Sequence, residues 1–254
     1  MAFKTAYWFL ILIQFFSAMR EEKVSVESEE RKSGLEMVFV NGGEYLMGGN
    51  DQVDDGGKPA LRMADECPHL VIVHDFSIGK YEVTQLDWEE IMGTTPGYNQ
   101  DCDDCPVEQV SWVDVQKFIK KLNFKTGGNY RLPTEEEWEF AARGGLKSQG
   151  FIYAGSNEVE KVAWFRENSG GKSQQVGMLK PNELGIFDMS GNIWEWCSNF
   201  KNPYPCDTLG KSFDSRVLRG GTFGNRSSSV RIRDRNAREP STRLKTLGFR
   251  LVKG

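Results

Sequence analysis

Three blocks rich in glycine and aromatic residues constrain the fold of this 254-residue chain more than any other feature of its sequence. They span residues 130–145, 185–196 and 216–252. In the first block, Thr134 is followed three residues later by Glu137, the pattern of a capping box that begins a helix. After residue 145, glycines recur at short intervals and no long helical period is present. We therefore expect an α+β chain with few helices, short strands and much irregular loop.

Two further helices are predicted upstream of these blocks. Thr84 is a suitable N-cap for a helix that ends before Gly93. Ser111, with Asp114 three residues on, begins a second helix that ends at Gly127. Four apolar residues in it recur at helical spacing and form one face, namely Val115, Phe118, Ile119 and Leu122. The predicted strands are residues 35–40 and 42–48, paired as a hairpin, and residues 70–78.

The N-terminus has the pattern of an export signal. Lys4 is followed by an almost wholly apolar segment at residues 6–19, which is short for a membrane span and suitable for a signal peptide. An uncleaved anchor and a misassigned start are the alternatives. Residues 20–34 are charged and poor in apolar groups, which predicts a disordered tether. We expect a signal peptide or anchor at 1–19, a tether at 20–34 and one domain at 35–254, in an extracytoplasmic location.

The chain has five cysteines, which are Cys67, Cys102, Cys105, Cys197 and Cys206. Cys102 and Cys105 could form half of a metal-binding knuckle, but no second pair of Cys or His residues completes it. In an exported chain, a local disulfide between these two is the favoured interpretation. A bridge between Cys197 and Cys206 is a weaker prediction. Any complete pairing leaves one thiol over.

The order and chemistry of the three blocks resemble the formylglycine-generating enzyme family, also called the sulfatase-modifying factor domain. The resemblance covers about residues 35–252. It implies the C-type-lectin-like fold, in which a long loop-rich C-terminal region forms the ligand surface. The variable proteins of diversity-generating retroelements use the same domain. Their asparagine-dense runs are not found here, because residues 223–239 contain only two asparagines.

The resemblance also implies a difference in chemistry. The family's oxidase has two cysteines in the last block, whose thiolates bind copper and oxidise a substrate cysteine, and here Asn225 and Val230 occupy those positions. Cu(I) requires soft sulfur ligands, which an amide and an isopropyl group cannot supply. We therefore expect no copper and no formylglycine-generating activity, and we favour a protein that is not an enzyme.

A structural Ca2+ is the cofactor that the resemblance implies, on the loop that leads to Trp196. The positions carried over from the family are the side chains of Asp188 and Glu195 and the backbone carbonyls of Gly191 and Ile193. Carboxylate and carbonyl oxygens are the ligands that Ca2+ prefers. In the alternative interpretation, the two carboxylates bind arginines of the blocks or loop amides instead.

The charge of the chain is unevenly distributed. Residues 216–254 contain 11 Lys and Arg against 2 Asp and Glu, although the whole chain has a net charge of −4. A basic strip can attract an anionic partner. Arginines also pair internally with carboxylates that are partly buried, and this internal pairing is the favoured interpretation.

The candidate ligand surface lies within residues 223–238, where arginines alternate with the hydroxyl and amide groups that suit recognition. Its residues are Phe223, Asn225, Arg226, Ser228, Arg231, Arg233, Asp234, Asn236 and Arg238. A solvated strand edge is the alternative. The leading hypothesis is an exported, non-catalytic protein that binds a protein, peptide or glycan through this surface. Nucleic acid is not an expected partner, and membrane contact is expected only through an uncleaved N-terminus.

Two other functions remain open at this point. The first alternative is a protein-modifying oxidoreductase of the same family with a different catalytic solution. The second is a structural subunit of an envelope assembly.

Overall fold

The computed structural model describes residues 35–49, 67–99, 102–202, 204 and 214–254. These residues belong to the compact unit Ser33–Gly254. The segments predicted at 1–19 and 20–34 lie outside the described residues and stay predictions. Within the described ranges, no helix has the length and apolar character needed to cross a bilayer.

The three predicted helices are confirmed. They are α1 (Gln85–Met92), α2 (Trp112–Thr126) and α3 (Glu135–Ala142). Each begins with a complete capping box, in which the cap side chain and the side chain three residues on satisfy each other's backbone N–H. Gly93 and Gly127 end α1 and α2 in the left-handed region, which glycine adopts without a steric penalty. The predicted apolar face of α2 is buried.

Twelve short strands form four sheets in the described part of the chain. They are β1 (Met37–Val40), β2 (Gly43–Met47), β3 (His69–Val73), β4 (Phe76–Gly79), β5 (Tyr130–Arg131), β6 (Ala163–Trp164), β7 (Ser190–Gly191), β8 (Trp194–Phe200), β9 (Arg216–Arg219), β10 (Arg235–Arg238), β11 (Leu247–Gly248) and β12 (Val252–Lys253). Two sheets have four strands, in the orders β1-β4-β12-β5 and β10-β9-β8-β11, and β2-β3 and β6-β7 form the others. The few helices and many short strands confirm the α+β prediction.

The predicted hairpin between the first two strands is wrong. β1 pairs with β4 and β2 pairs with β3, both antiparallel, so the strand predicted at 70–78 is two strands. The chain turns at Gly42, whose N–H donates to the carboxylate of Asp75 at 2.8 Å. A Cβ at Gly42 would lie 2.3 Å from the carbonyl oxygen of Val73, so only glycine allows this close approach.

Tryptophans of the sequence blocks lie at the centres of the two main apolar clusters. Trp138 is fully buried in one cluster, and Trp196 packs with Phe249 in the other. Each buried indole N–H has a partner, because Trp138 donates to Glu195 at 2.7 Å and Trp196 donates to the carbonyl of Val110 at 3.0 Å. These contacts fix β8 between the two clusters.

The structure confirms one prediction about the cysteines and contradicts another. Cys102 and Cys105 form a disulfide, as predicted, with an S–S distance of 2.03 Å, so they do not form a metal knuckle. Cys67 is also disulfide-bonded. Cys197 is a free thiol, so the predicted bridge between Cys197 and Cys206 is wrong. The physical reason is that Cys197 lies in the core on β8 with no solvent exposure, and burial raises the pKa of its thiol.

Candidate functional site

A surface groove of about 600 Å3 lies between residues 152–168 and the third sequence block. It is lined by Ile152, Tyr153, Asn157, Glu158, Val159, Glu160, Phe165, Glu167, Asn168, Ser227 and Arg231. Tyr153, Val159 and Phe165 also belong to a small apolar cluster. The groove therefore combines an apolar base with polar and charged residues, the usual composition of a ligand site.

Hydrogen bonds hold the two walls of the groove together. At one place the backbone N–H of Arg166 donates to the carbonyl of Asn225 at 2.9 Å, and its side-chain Nε donates to the carbonyl of Gly224 at 3.0 Å. At another, the N–H of Ile232 donates to the carbonyl of Ile152 at 3.0 Å. Because the backbone is tied across both walls, the groove does not have to be ordered at the moment a ligand binds.

The two positions that hold cysteines in the family's oxidase have structural roles here. The side-chain oxygen of Asn225 accepts from the N–H of Thr222 at 2.9 Å, which closes a local turn. Val230 is fully buried and packs in the same apolar cluster as Tyr153 and Phe165. Both positions are next to groove-lining residues in the chain, since Ser227 and Arg231 lie within two residues of them. The groove therefore lies beside the place where the oxidase would have its sulfur ligands.

Acidic side chains dominate the charge of the groove. Glu158, Glu160 and Glu167 line it and are all exposed, and Glu158 is paired with Lys161, at 2.6 Å. Arg231 also lines the groove, and its guanidinium binds the carboxylate of Asp234. A concave site with this balance attracts positively charged groups.

The pKa of Asp234 reflects its position behind this wall. Burial raises the pKa of its carboxyl, while hydrogen bonds from Arg231 and the nearby positive charge act to lower it. The backbone N–H of Arg231 also donates to the same carboxylate, at 2.8 Å. Arg231 and Asp234 therefore form a local unit that sets the position of the guanidinium in the groove.

The nine residues predicted as a ligand surface differ in their burial. Phe223, Arg233 and Asp234 are buried, so they pack inside the domain. This corrects their assignment to an exposed surface. The physical reason is that the chain between the groove and β10 turns inward, where Val230 and Ile232 enter the core.

The other six residues lie at or near the surface. Asn225, Ser228, Arg231 and Asn236 are half-buried, whereas Arg226 and Arg238 are exposed. Among the nine, Arg231 is the residue that lines the groove. Asn236 and Arg238 lie on β10, at the edge of a four-stranded sheet, and Arg238 donates to the side-chain oxygen of Asn236 at 2.9 Å. This location agrees with the alternative of a strand edge.

Several arginines of the basic block pair inside the molecule, as favoured from the sequence. Arg219 is fully buried, binds the carboxylate of Glu139, and donates to the carbonyls of Arg233 and Asp234 at 2.8 Å each. A larger set of such contacts includes Arg235 with Glu135, Arg243 with Asp114 and Arg250 with Glu195. Four arginines of the basic block are thus paired with carboxylates from earlier in the chain.

The loop predicted to hold Ca2+ lies in the interior of the domain. Glu195 accepts hydrogen bonds from Arg250, at 2.6 and 2.7 Å, and from Trp138 at 2.7 Å. Asp188 accepts from the N–H of Gly177 at 2.7 Å through one oxygen. Its other oxygen is buried and accepts no hydrogen bond from the described residues. The hydrogen bonds that the alternative interpretation predicts, from an arginine and from a loop amide, are therefore present. One oxygen of Asp188 accepts no such bond in the described part of the chain.

Negative charge accumulates around this loop. Burial raises the pKa of Asp188 to about 6. Burial also raises the pKa of Glu82, and the neighbouring charges of Asp188 and Glu195 raise it further. Arg250 is the cation that lowers the pKa of both Glu82 and Asp188. In the described ranges, no three side chains of His, Cys, Asp or Glu converge as a metal site.

The two carbonyl positions of the predicted Ca2+ site are also buried. Gly191 lies in the left-handed region, and a Cβ there would be 2.2 Å from the carbonyl oxygen of Trp164. The N–H of Ile193 donates to the carboxylate of Glu82 at 3.3 Å. The loop is therefore held tightly between β6 and the start of β8.

Sequence reasoning missed the wall of the groove at residues 152–168. Its helical turn at Val159–Lys161 and the two-residue strand β6 are too short to produce a periodic pattern. One signal was available in the charge of the chain. Because the last block is strongly basic, the rest of the chain must be acidic, and some of those acidic residues lie in this wall. That signal gives no position, because acidic residues are spread over the whole remainder.

Two known proteins are similar to this chain in sequence. The chain is 38% identical over 206 residues to "Chaperone protein LppX" of Paenibacillus barcinonensis, which covers 59% of this chain and 73% of the relative. It is 31% identical over 251 residues to "Inactive C-alpha-formylglycine-generating enzyme 2" of Mus musculus, which covers 93% of this chain and 70% of the relative. Both alignments include most of the relative's length.

A solved structure has the same fold. Treponema denticola variable protein 1 superposes with a TM-score of 0.74 and 27% identity, covering 85% of this chain and 94% of that one. The C-type-lectin-like architecture and the relation to variable proteins are thereby confirmed. Residues 22–254 match the Sulfatase-modifying factor enzyme 1-like domain. Because this match spans nearly the whole chain, the protein belongs to the sulfatase-modifying factor, or formylglycine-generating enzyme, family.

Proposed function

We propose that this chain is an exported, non-catalytic protein that binds a protein or peptide ligand in the groove between residues 152–168 and Ser227–Ser229. One observation carries the proposal. The groove is built beside the two positions where the family's oxidase has cysteines, while those positions hold a turn-forming amide, Asn225, and a core residue, Val230. This supports a site that could hold a ligand without a sulfur pair.

The names of similar proteins support the same conclusion. One relative is named an inactive formylglycine-generating enzyme, which is consistent with this fold serving without the oxidase chemistry. Another is named a chaperone protein, which favours a polypeptide ligand over a glycan. The dimensions agree, because a groove of about 600 Å3 with an apolar base accommodates a few residues of a peptide.

The test uses peptides selected on the immobilised full chain from a random library displayed on phage. Selected peptides are then measured against a groove variant, Glu160→Lys with Glu167→Lys, and a matched control, Glu44→Lys with Glu239→Lys. All four glutamates are exposed, so both variants make the same charge change at the surface. We expect affinity to fall by about tenfold or more in the groove variant alone, because the altered charges meet the ligand directly.

Three results would contradict the proposal. A selection that yields no binding peptide, or peptides that bind the groove variant as well as the control, would show that the groove is not the site. An aldehyde formed on a cysteine peptide incubated with the protein and copper would show that the chain is catalytic.

We further propose that a structural Ca2+ is held by Asp188, the carbonyls of Gly191 and Ile193, and Glu195. Asp188 has a buried oxygen without a hydrogen bond from the described residues. Burial raises the pKa of Asp188 and Glu82, and neighbouring carboxylates add to both shifts, so three acidic side chains share this interior with one arginine, Arg250. Asp188 would supply an oxygen that accepts no other bond from the described residues, whereas Glu195 is already bound to Arg250 and would supply a lone pair that this pairing leaves free. When bound, the cation would supply positive charge and rigidity and no chemistry.

A thermal melt tests the cation proposal. Ca2+ should raise the melting temperature of the wild-type chain and of the exposed-site control Asp103→Asn, relative to EDTA, because a ligand that binds the folded state stabilises it. Asp188→Asn keeps an acceptor for the N–H of Gly177 and removes the charge, so it should lose the shift. A wild-type melting temperature that does not respond to Ca2+ would refute the site.

A further inference from the structure

The outer face of helix α2 has an unusual combination of residues. Lys117, Lys120, Lys121 and Lys125 are all exposed and recur at spacings of three and four residues, so they share one side of the helix. Phe124 lies among them with 94% of its surface exposed, the largest exposure of any described large apolar residue. An aromatic ring held fully in solvent between lysines needs an explanation beyond the fold, because it packs against nothing in the domain.

The lysines of this face are only partly neutralised. Lys117 is 3.6 Å from the carboxylate of Asp114, which Arg243 also binds, at 2.7 Å. Lys125 reaches a backbone carbonyl, that of Glu90 on α1, at 3.5 Å. Glu89 and Glu90, exposed near the end of α1, are the neighbouring acids. Among the described residues, Lys120, Lys121 and Lys125 have no carboxylate within ion-pair distance, and the face is therefore net positive.

A neighbouring loop extends the same chemistry. The N–H of Val113, at the start of α2, donates to the carbonyl of Pro240 at 3.4 Å, which places the following residues beside the helix. This loop contributes Arg243, which binds Asp114 of the helix, together with Leu244, which is exposed like Val113. Two elements thus form one surface, defined here as the α2 face, that is basic and carries three exposed apolar side chains, Val113, Phe124 and Leu244.

We propose that the α2 face docks the domain onto an anionic phospholipid bilayer. Lysines attract anionic headgroups, and an aromatic ring at the same level inserts at the boundary between headgroups and acyl chains. The exposure and charge favour a bilayer as the partner, because Phe124, with 94% of its surface exposed, and the exposed lysines lie on one side of the helix and can meet the apolar and anionic layers of a membrane together. The α2 face shares no residue with the lining of the groove.

Vesicle binding tests the proposal with the full chain. Vesicles of phosphatidylcholine are compared with vesicles containing about one third phosphatidylglycerol, an anionic lipid. The variants are Lys120→Glu with Lys121→Glu, and Phe124→Ser. Their matched controls are Lys147→Glu with Lys172→Glu, and Leu146→Ser, which change exposed residues elsewhere. Any binding by the N-terminal segment is the same in all these chains and cancels in the comparison.

We expect the charge variant to lose about tenfold or more of its partitioning onto anionic vesicles, and Phe124→Ser to lose severalfold, while the controls bind as the wild type does. All variants should melt as the wild type does, because the changed side chains are exposed. Equal partitioning of variants and controls would overturn the proposal. So would a wild-type chain that is retained by heparin in a charge-dependent way but does not bind anionic vesicles, since the partner would then be an acidic polymer.

Discussion

Two groups of cations in this protein have opposite environments. Arg219 and Arg250 are fully buried and each binds a fully buried carboxylate, Glu139 and Glu195. The lysines of the α2 face are exposed and mostly lack such partners. The comparison shows that the sign of a charge says little about its role. A guanidinium offers several donors in a planar fork and suits the interior, whereas an ammonium is strongly hydrated and stays at the surface.

The buried group also connects distant parts of the chain. Arg219 on β9 meets Glu139 on α3, and Arg250 near the C-terminus meets Glu195 on β8. Arg250 also donates to the carbonyl of Gly79 on β4, at 3.0 Å. These arginines therefore link helices and sheets, while the α2 lysines touch little besides their own helix.

The largest decrease in the free energy of unfolding is expected from Arg219→Met. The substitution leaves Glu139 buried with a single remaining arginine, Arg143, and removes the two donations to backbone carbonyls. Breaking a buried pair by removing one partner costs about 3–5 kcal/mol. Urea unfolding monitored by tryptophan fluorescence should show this loss. A change below about 1 kcal/mol would mean that the pair is not part of the stabilising core.

Acid should weaken the same pair. Burial acts to raise the pKa of Glu139, but Arg219 and Arg143 outweigh it, and the pKa is lowered overall. A carboxylate with a lowered folded-state pKa contributes stability above its unfolded pKa, about 4.3, and loses it as pH falls through the folded value. The unfolding free energy should therefore decrease as pH drops below about 4.3. Glu139→Gln should flatten this slope relative to the exposed-site control Glu44→Gln.

A smaller decrease in the free energy of unfolding is expected from Arg235→Gln. The guanidinium of Arg235 forms two bonds to Glu135, at 2.8 and 2.7 Å, and lies 4.0 Å from the ring centroid of Tyr204. Loss of a hydrogen-bonded charge partner costs about 1.5–3 kcal/mol. The expected loss in the same urea assay is smaller than that of Arg219→Met, because Glu135 keeps a second arginine, Arg219, at 3.6 Å. A loss as large as that of Arg219→Met would mean that Arg219 does not compensate for the arginine removed.

The smallest effect is expected from Lys120→Ala. An exposed lysine with no close carboxylate should change the unfolding free energy by no more than about 0.5 kcal/mol. The same substitution should weaken vesicle binding if the α2 face docks on anionic lipid. The substitution would then weaken vesicle binding without changing the unfolding free energy. A buried arginine cannot be tested in this way, because its removal destabilises the fold.

Much of the fold could be predicted where the signal is local. The helix that starts at Ser111 was predicted from a cap three residues from its acidic partner and from an apolar face of four residues. Both features operate within two turns of chain. The disulfide between Cys102 and Cys105 is equally local.

The candidate site was harder to predict because its parts are distant in sequence. The basic block indicated a surface at residues 223–238, yet only Arg231 of that set reaches the groove. The opposite wall lies more than fifty residues upstream and has no motif of its own. A sequence pattern could not show that Phe223 and Arg233 point inward, because their burial depends on what packs over them.

The sequence by itself determined the family, the three helices and the replacement of the two cysteine positions by Asn225 and Val230. These are properties of residue identity and short spacing. Tertiary structure decided which strands pair, which arginines are buried and where the groove lies. The physical reason is that strand partners and ion pairs are selected by burial and by close approaches between distant segments, such as Gly42 against Val73. Those energies exist only once the chain has folded.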